Sequence, residues 1–372
     1  MTSRALVLLC GLLTAADNSA ELLRWLQAEG DYAGAAAVYR KLLAKNPESA
    51  ELHSNLGLML HMAGEEGRAL EEFRQALRRN PSLVAANLFA GVCLTRLGRS
   101  AEAILYLDRA CRLEPAAVAP RLARAQAYIG TRGFAAANKD YAEVVARDPS
   151  NAEGWFGMGI TYRSMADALL KRSPQSSEAS DYLQRALDAL NRAIALDPRS
   201  ERVRLILGEA FRDAGKLTES VEEYKRAIAI RPNSAAAHLG LATTYWKAGE
   251  TETVLPALRR ALELASRDPE ANGIMADLLV RGGDYAGGRK HAEVALAGNP
   301  GLDYVHLLMG KIYLAENHPE MAVGELKIAG RSDATGSSYY LLQRAYKQLG
   351  RDADAAAALR EFERVRKSAA KP

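Results

Sequence analysis

Six histidines, three cysteines and a few paired carboxylates are the side chains of this 372-residue sequence suited to metal binding or catalysis. Their spacing argues against both. No His-Glu-x-x-His, Cys-x-x-Cys or Gly-x-Ser-x-Gly run occurs, so no short motif sets two ligands on one helix face or a nucleophile on a tight turn. His53, His238 and His306 stand singly, each at the same place of a longer sequence period, and read as stacking positions. Cys93 and Cys111 fall on apolar stretches, where a lone cysteine ordinarily serves as a buried free thiol. A disulfide between them stays open if the chain is exported, because spacing alone does not decide it. The stretch from Gly283 to Lys290 sets glycines near a basic pair, but it lacks the Gly-Lys-Ser/Thr of a phosphate loop and follows no strand. Glu71-Glu72 and Glu222-Glu223 lie beside Arg74 and Lys225, as solvated helix faces do. The expectation is no catalytic residue, no metal site and no cofactor.

The elements that carry these residues are set by a fixed beat. Pro47, Pro81, Pro115 and Pro149 lie 34 residues apart, Pro198 and Pro232 repeat the step, and Pro300 follows at twice that distance. Small residues recur in the same register, first at Gly57, Gly91, Ala125, Gly159, Gly208, Ala242, Ala276 and Gly310. A second ladder runs Ala35, Ala69, Ala103, Ala137, Ala186, Ser220 and Gly288, and a third runs from Ala76 and Ala110 to Ala329. Large residues such as Leu60, Leu94, Tyr128, Phe73, Leu107 and Tyr141 stand between them. Small places opposite large ones let two antiparallel helices nest ridge into groove. Gly30, Gly64, Gly98, Gly215, Gly249, Gly283 and Gly350 fall between the two helices of a pair, with Asn317 in one such place. Proline then closes the second helix.

This pattern resembles the tetratricopeptide repeat family over roughly residues 16–369. The resemblance implies an all-α fold, a right-handed α-solenoid or superhelix of about ten helix-turn-helix pairs. Repeats one to four span 17–151, an extended fifth repeat spans 152–200, and repeats six to ten span 201–372 with a C-terminal cap. The sequence departs from the family in places. Trp155 is the only tryptophan at the usual aromatic place of the first helix, where His53, Asn87, Arg121, Arg204, His238 and His306 stand instead. Arg124 replaces a core leucine, Val254 and Phe362 overfill small places, and the repeat ending near Asp268 lacks its proline in register. The fifth repeat carries 15 extra residues, read as a helical-hairpin insertion at about 164–182 with its break near Ser173 to Ser177.

Composition bounds the function. Hydrophobic residues make up 48% of the chain, enough for a continuous core. Lys+Arg at 49 against Asp+Glu at 45 leaves a net charge of only +4 with both signs interspersed, which argues against a nucleic-acid partner. Arg4, the apolar run Ala5 to Leu13 and the small residues Thr14-Ala15-Ala16 read as a signal peptide over 1–16, too short to span a membrane. The expected location is therefore periplasmic or secreted, the alternative being a cytoplasmic protein whose apolar start caps the first repeat. In the family the first helices line a concave groove. Counting along them gives an apolar lining, with Leu58, Met62, Leu88, Phe89, Val92, Leu122, Ile129, Phe156 and Ile160, then a polar and mildly basic one that includes Arg212, Trp246, Lys247 and Arg281. Half of the apolar set is as readily read as packed between helices. The family's carboxylate clamp is not matched, since Asn55 is the only asparagine at a corresponding place. The resemblance thus implies a non-catalytic scaffold that binds a protein or peptide partner in its groove and assembles an envelope, secretion or polysaccharide-export complex. The alternative is a regulatory or accessory subunit of an enzyme complex in the cytosol. Trp246 beside Lys247 is expected to be an exposed anchor.

Overall fold

In the computed structural model, residues 15–173, 175–333 and 335–369 are described, and the apolar run Ala5 to Leu13 lies outside them. The described residues form twenty α-helices and no strand, paired into ten repeats from Ala15–Ala28 with Tyr32–Lys45 to Ser337–Gln348 with Asp352–Ala369. The chain divides into two compact units, Met1–Pro198 and Arg199–Pro372, which hold five helix pairs each. Within each unit successive helices pack on one another. First helices also touch the first helix of the next repeat, from the second repeat to the fifth in one unit and from the sixth to the tenth in the other.

The small-residue ladders are the reason the pairs close. A methyl group added at Gly57 would lie 2.8 Å from the Phe73 ring, and one at Gly208 would lie 2.9 Å from the Tyr224 ring. Each glycine therefore receives the large side chain of its own second helix. Ala35, Ala69, Ala103, Ala137 and Ala186 have no solvent exposure, and neither do Ala76, Ala110, Ala193, Ala227 and Ala295. Gly64 turns the second repeat at φ +80, a conformation cheap only for glycine. In the fourth repeat Arg132 takes the same turn at φ 59, and in the ninth Asn317 does so at φ 60.

Several departures from the repeat pattern have physical explanations, with Trp155 at the family's usual place as their reference. Trp155 Nε1 donates to the Pro149 carbonyl at 2.9 Å. Asn87 Nδ2 donates to Pro81 at 3.0 Å, and His53 Nε2 to Pro47 at 3.1 Å. His238 and His306 reach Pro232 and Pro300 in the same way. Each of these residue types supplies an N–H that reaches the closing proline six residues back and ties down the loop between repeats. Asn272 does so too, reaching the Ser266 carbonyl at 3.0 Å. The repeat before it, the seventh, has no proline in register, and Pro269 stands instead in the first turn of the next helix, where a missing N–H is harmless. Arg124 is accommodated by two carboxylates. It forks onto Asp140 at 2.8 and 2.5 Å and reaches Asp108 at 2.6 Å, so the apolar place becomes an ion triad joining the third and fourth repeats.

In the fifth repeat the first helix runs Ala152–Leu170 and the second Ser177–Leu196, lengths of 19 and 20 residues. The extra turns pack on each other. Ala166, Ala179 and Leu183 are buried, and the Tyr162 and Tyr182 rings stack 6.0 Å apart. Cys93 and Cys111 are both buried free thiols, so no disulfide joins them.

Candidate functional site

Aligned first helices leave space where their side chains are short. In the first unit a cavity of about 250 Å3 opens on this face across repeats three to five. Val92, Thr95 and Arg96 reach it from Val84–Arg96, and Leu122, Ala123 and Gln126 from Val118–Gly130. Tyr141 closes one wall and Glu153, at the start of the next first helix, stands at the edge. The wall is rigid, because Tyr141 is buried to 1% exposure and packs directly over Gly157. The centre is apolar and the rim carries one basic and one acidic residue. The volume falls below the roughly 300–1,000 Å3 of small-molecule sites. It suits a single anchoring side chain of a larger partner.

Of the residues read from sequence as groove lining, Val92 and Leu122 are brought together here. Leu58 and Leu88 are half-buried against the first unit's core, and Ile129 packs with Tyr141. Phe89 stacks on Phe73 with ring centres 6.1 Å apart. Ile160 is half-buried, while Met62 is 48% exposed. Phe156 is not exposed groove lining but core, 2% exposed. Gly154 and Gly157 bring its helix hard against Val144, Val145 and Tyr141, and the ring is enclosed.

The second unit treats the corresponding face differently. Trp246, expected as an exposed anchor, is half-buried. Its Nε1 donates to Asp277 Oδ2 at 2.7 Å, and its ring lies 5.6 Å from that of Tyr304. Arg281 binds the same Asp277 oxygen at 2.7 Å. Burial, and then the nearby Glu270 and Asp277 charges, push the Tyr304 hydroxyl well above its usual range. Arg212 is half-buried and Lys247 is exposed. The indole is thus committed to its own chain, and the basic Arg281 is neutralised by Asp277. A wider recess of about 630 Å3 lies at the start of the sixth and seventh repeats, but Arg231 on its wall is paired with Glu201 at 2.9 Å.

Sequence spacing gave no sign of a second feature of the first unit. His61, in the last turn of Ala50–Met62, meets Glu66 across the Gly64 turn, with Nδ1 to Oε2 at 2.7 Å. Cys93 of the next repeat brings Sγ to 3.6 Å from the same ring nitrogen. Arg96 Nη1 donates to the other Glu66 oxygen at 2.7 Å, and so links the cluster to the cavity rim. Burial pushes Glu66 up, but hydrogen bonds from Cys93, His61 and Arg96 outweigh it and hold the carboxyl below its usual range. Burial and the Glu66 carboxylate push the Cys93 thiol far up. This is not a nucleophile–base–acid relay. A relay needs thiol and carboxylate on opposite nitrogens of the imidazole, and here both address Nδ1. The signal that could have found the cluster is separation by about one repeat. His61 and Cys93 are 32 residues apart, and Trp246 and Asp277 are 31 apart.

Paired helices, small-on-large ladders of constant period and a face of aligned first helices define a helical-repeat protein of the solenoid class. Comparison with known proteins narrows this. A family model described as the middle TPR-like domain of cilia and flagella-associated protein 70 matches residues 20–184. A TPR repeat model matches 208–249 and a tetratricopeptide repeat model 239–303. The chain is a tetratricopeptide repeat protein. No curated protein matches it by sequence. Among solved structures it is similar to a tetratricopeptide repeat protein from Parabacteroides merdae, at 17% identity and a TM-score of 0.50, covering 82% of this chain and 98% of that one. It is also similar to PilF of Pseudomonas aeruginosa, at 15% identity and a TM-score of 0.51, covering 61% of this chain and 96% of that one. Likeness at such identities speaks for the fold alone.

Proposed function

We propose that this protein is a non-catalytic scaffold whose first-helix face over repeats three to five anchors a segment of a partner protein. The tetratricopeptide fold points to protein–protein interaction in general. The observation that carries the finer reading is the cavity of about 250 Å3 bounded by Val92, Leu122 and Tyr141, with Arg96 and Glu153 at its rim. An apolar side chain of the partner fills it, and polar neighbours in that segment meet the two charges. Export is proposed on the basic and apolar start of the sequence, and a place in an envelope, secretion or polysaccharide-export assembly on the family resemblance alone. Sequencing the N terminus of the protein purified from its own cells decides that point. A start at Asp17 supports export, and a start before Ala5 supports the cytosolic accessory-subunit alternative.

Site-specific photo-crosslinking tests the docking face. A photoreactive residue in place of Gln126 is expected to capture a partner in cells, whereas one at Leu105, which is 70% exposed on a second helix, is not. Capture at Leu105 and none at Gln126 moves the interface to the opposite face.

A further inference from the structure

We infer that His61, Glu66 and Cys93 form a binding site for one divalent transition-metal ion of the zinc class. Their donor atoms, Nδ1, a carboxylate oxygen and Sγ, all lie within 4.8 Å of one another. They come from the two helices of the second repeat and the first helix of the third, so their meeting depends on the fold.

Chemistry and geometry both fit such an ion. Thiolate, imidazole and carboxylate together favour zinc over magnesium, calcium or manganese, which take oxygen ligands. Zinc bonds of roughly 2.0–2.3 Å in a tetrahedron set neighbouring donors about 3.3–3.7 Å apart. The sulfur-to-nitrogen distance of 3.6 Å already lies in that range. The 2.7 Å between Nδ1 and Glu66 is a hydrogen-bond distance, and it must open by roughly half an ångström as the ion replaces the proton there. On binding, the Cys93 thiol releases its proton to solvent and the sulfur becomes a metal-bound thiolate. The imidazole stays neutral: the proton on Nδ1 passes to solvent, Nε2 carries the one that remains or is taken up, and the Nδ1 lone pair turns to the ion. Water completes the fourth position.

The charges close as well. A dication with one thiolate, one carboxylate and a neutral imidazole is neutral, which suits a site with Cys93 at 0% and His61 at 6% exposure, and the charge of Arg96 stays at the solvent with its side chain 58% exposed. Arg96 holds the Glu66 oxygen that faces away from the thiol and imidazole, as outer partners of ligating carboxylates do. The ion would clip the Gly64 turn to the next repeat beside the docking cavity. The inference is independent of the peptide-docking reading.

The test uses the full chain with Cys10→Ala and Cys111→Ala, which leaves Cys93 as the sole thiol. Under reducing conditions, titration with Co2+ is expected to saturate at one equivalent and to produce a thiolate-to-cobalt charge-transfer band. Zn2+ is expected to abolish that band and to raise the melting temperature. His61→Ala and Glu66→Gln are each expected to weaken Co2+ binding at least tenfold, with circular dichroism confirming that both remain helical. Absence of the band in the sole-thiol chain overturns the inference, whatever the variants do. A band of undiminished affinity in folded His61→Ala reduces the site to a bare thiol adduct and also overturns it.

Discussion

Repeats three to five and repeats seven to nine place their first-helix side chains at matching positions, yet in one region these side chains border a cavity and in the other they bind one another. Thr95 and Trp246 are each the twelfth residue of their first helix, Gln126 and Asp277 the ninth, and Glu153 and Tyr304 the second. In the first unit Thr95, Gln126 and Glu153 border about 250 Å3 of empty space. In the second the indole of Trp246 binds Asp277 and lies against Tyr304. The backbone pattern therefore fixes where a groove position falls, and side-chain size and pairing decide whether it is available to a partner. A tryptophan on this face is structural where an aspartate one repeat on accepts its N–H.

The comparison predicts an asymmetry in stability. Trp246→Ala is expected to cost roughly 2–4 kcal/mol, near the lower part of the range for losing a large buried aromatic, because the ring is only half-buried. Thr95→Ala should cost no more than about 0.5 kcal/mol, as a change beside an existing cavity does. Chemical denaturation of both variants measures the difference. Equal costs would break the contrast between the regions.

The shared frame gives a symmetric prediction of smaller size. Ala110→Leu in the first unit and Ala227→Leu in the second each overpack a contact with no exposed surface, and each is expected to cost about 1–3 kcal/mol. Ala101→Leu, at an exposed position, should be nearly neutral. If only one ladder residue is sensitive, the two units do not share the same packing.

The frame itself was legible in the sequence. The glycine and alanine ladders read from sequence close the helix pairs, and the two arms of the fifth repeat end at Leu170 and restart at Ser177, around the predicted break. Partnerships between repeats were not legible. Trp246 looked like an exposed anchor because its acceptor lies 31 residues on, outside any local pattern. Phe156 looked like groove lining because helical position alone does not show that Gly154 and Gly157 draw its helix inward. His61, Glu66 and Cys93 meet only when the third repeat stacks on the second, so no short motif announces them. The residues opposite Pro47, Pro81, Pro232 and Pro300 read as departures from the family's aromatic place, which Trp155 opposite Pro149 keeps. Their common N–H bond to a carbonyl six residues back shows that chemically different side chains meet one requirement.

Charge at the cavity rim is expected to have the smallest effect. Arg96 has a 58% exposed side chain and already pairs with Glu66. Arg96→Gln should weaken partner binding only about two- to fivefold, and the loss should shrink as salt rises. A salt-independent loss would mean that Arg96 acts through packing.

The central claim is that the open cavity of repeats three to five holds the partner, and Thr95→Trp tests it most directly. This change gives the third repeat the residue that fills the corresponding place in the seventh. Binding of the captured partner to the folded variant, measured by titration calorimetry, is predicted to fall at least tenfold, while Trp246→Ala leaves it within twofold. Unchanged affinity in Thr95→Trp, or a large loss confined to Trp246→Ala, would contradict the account.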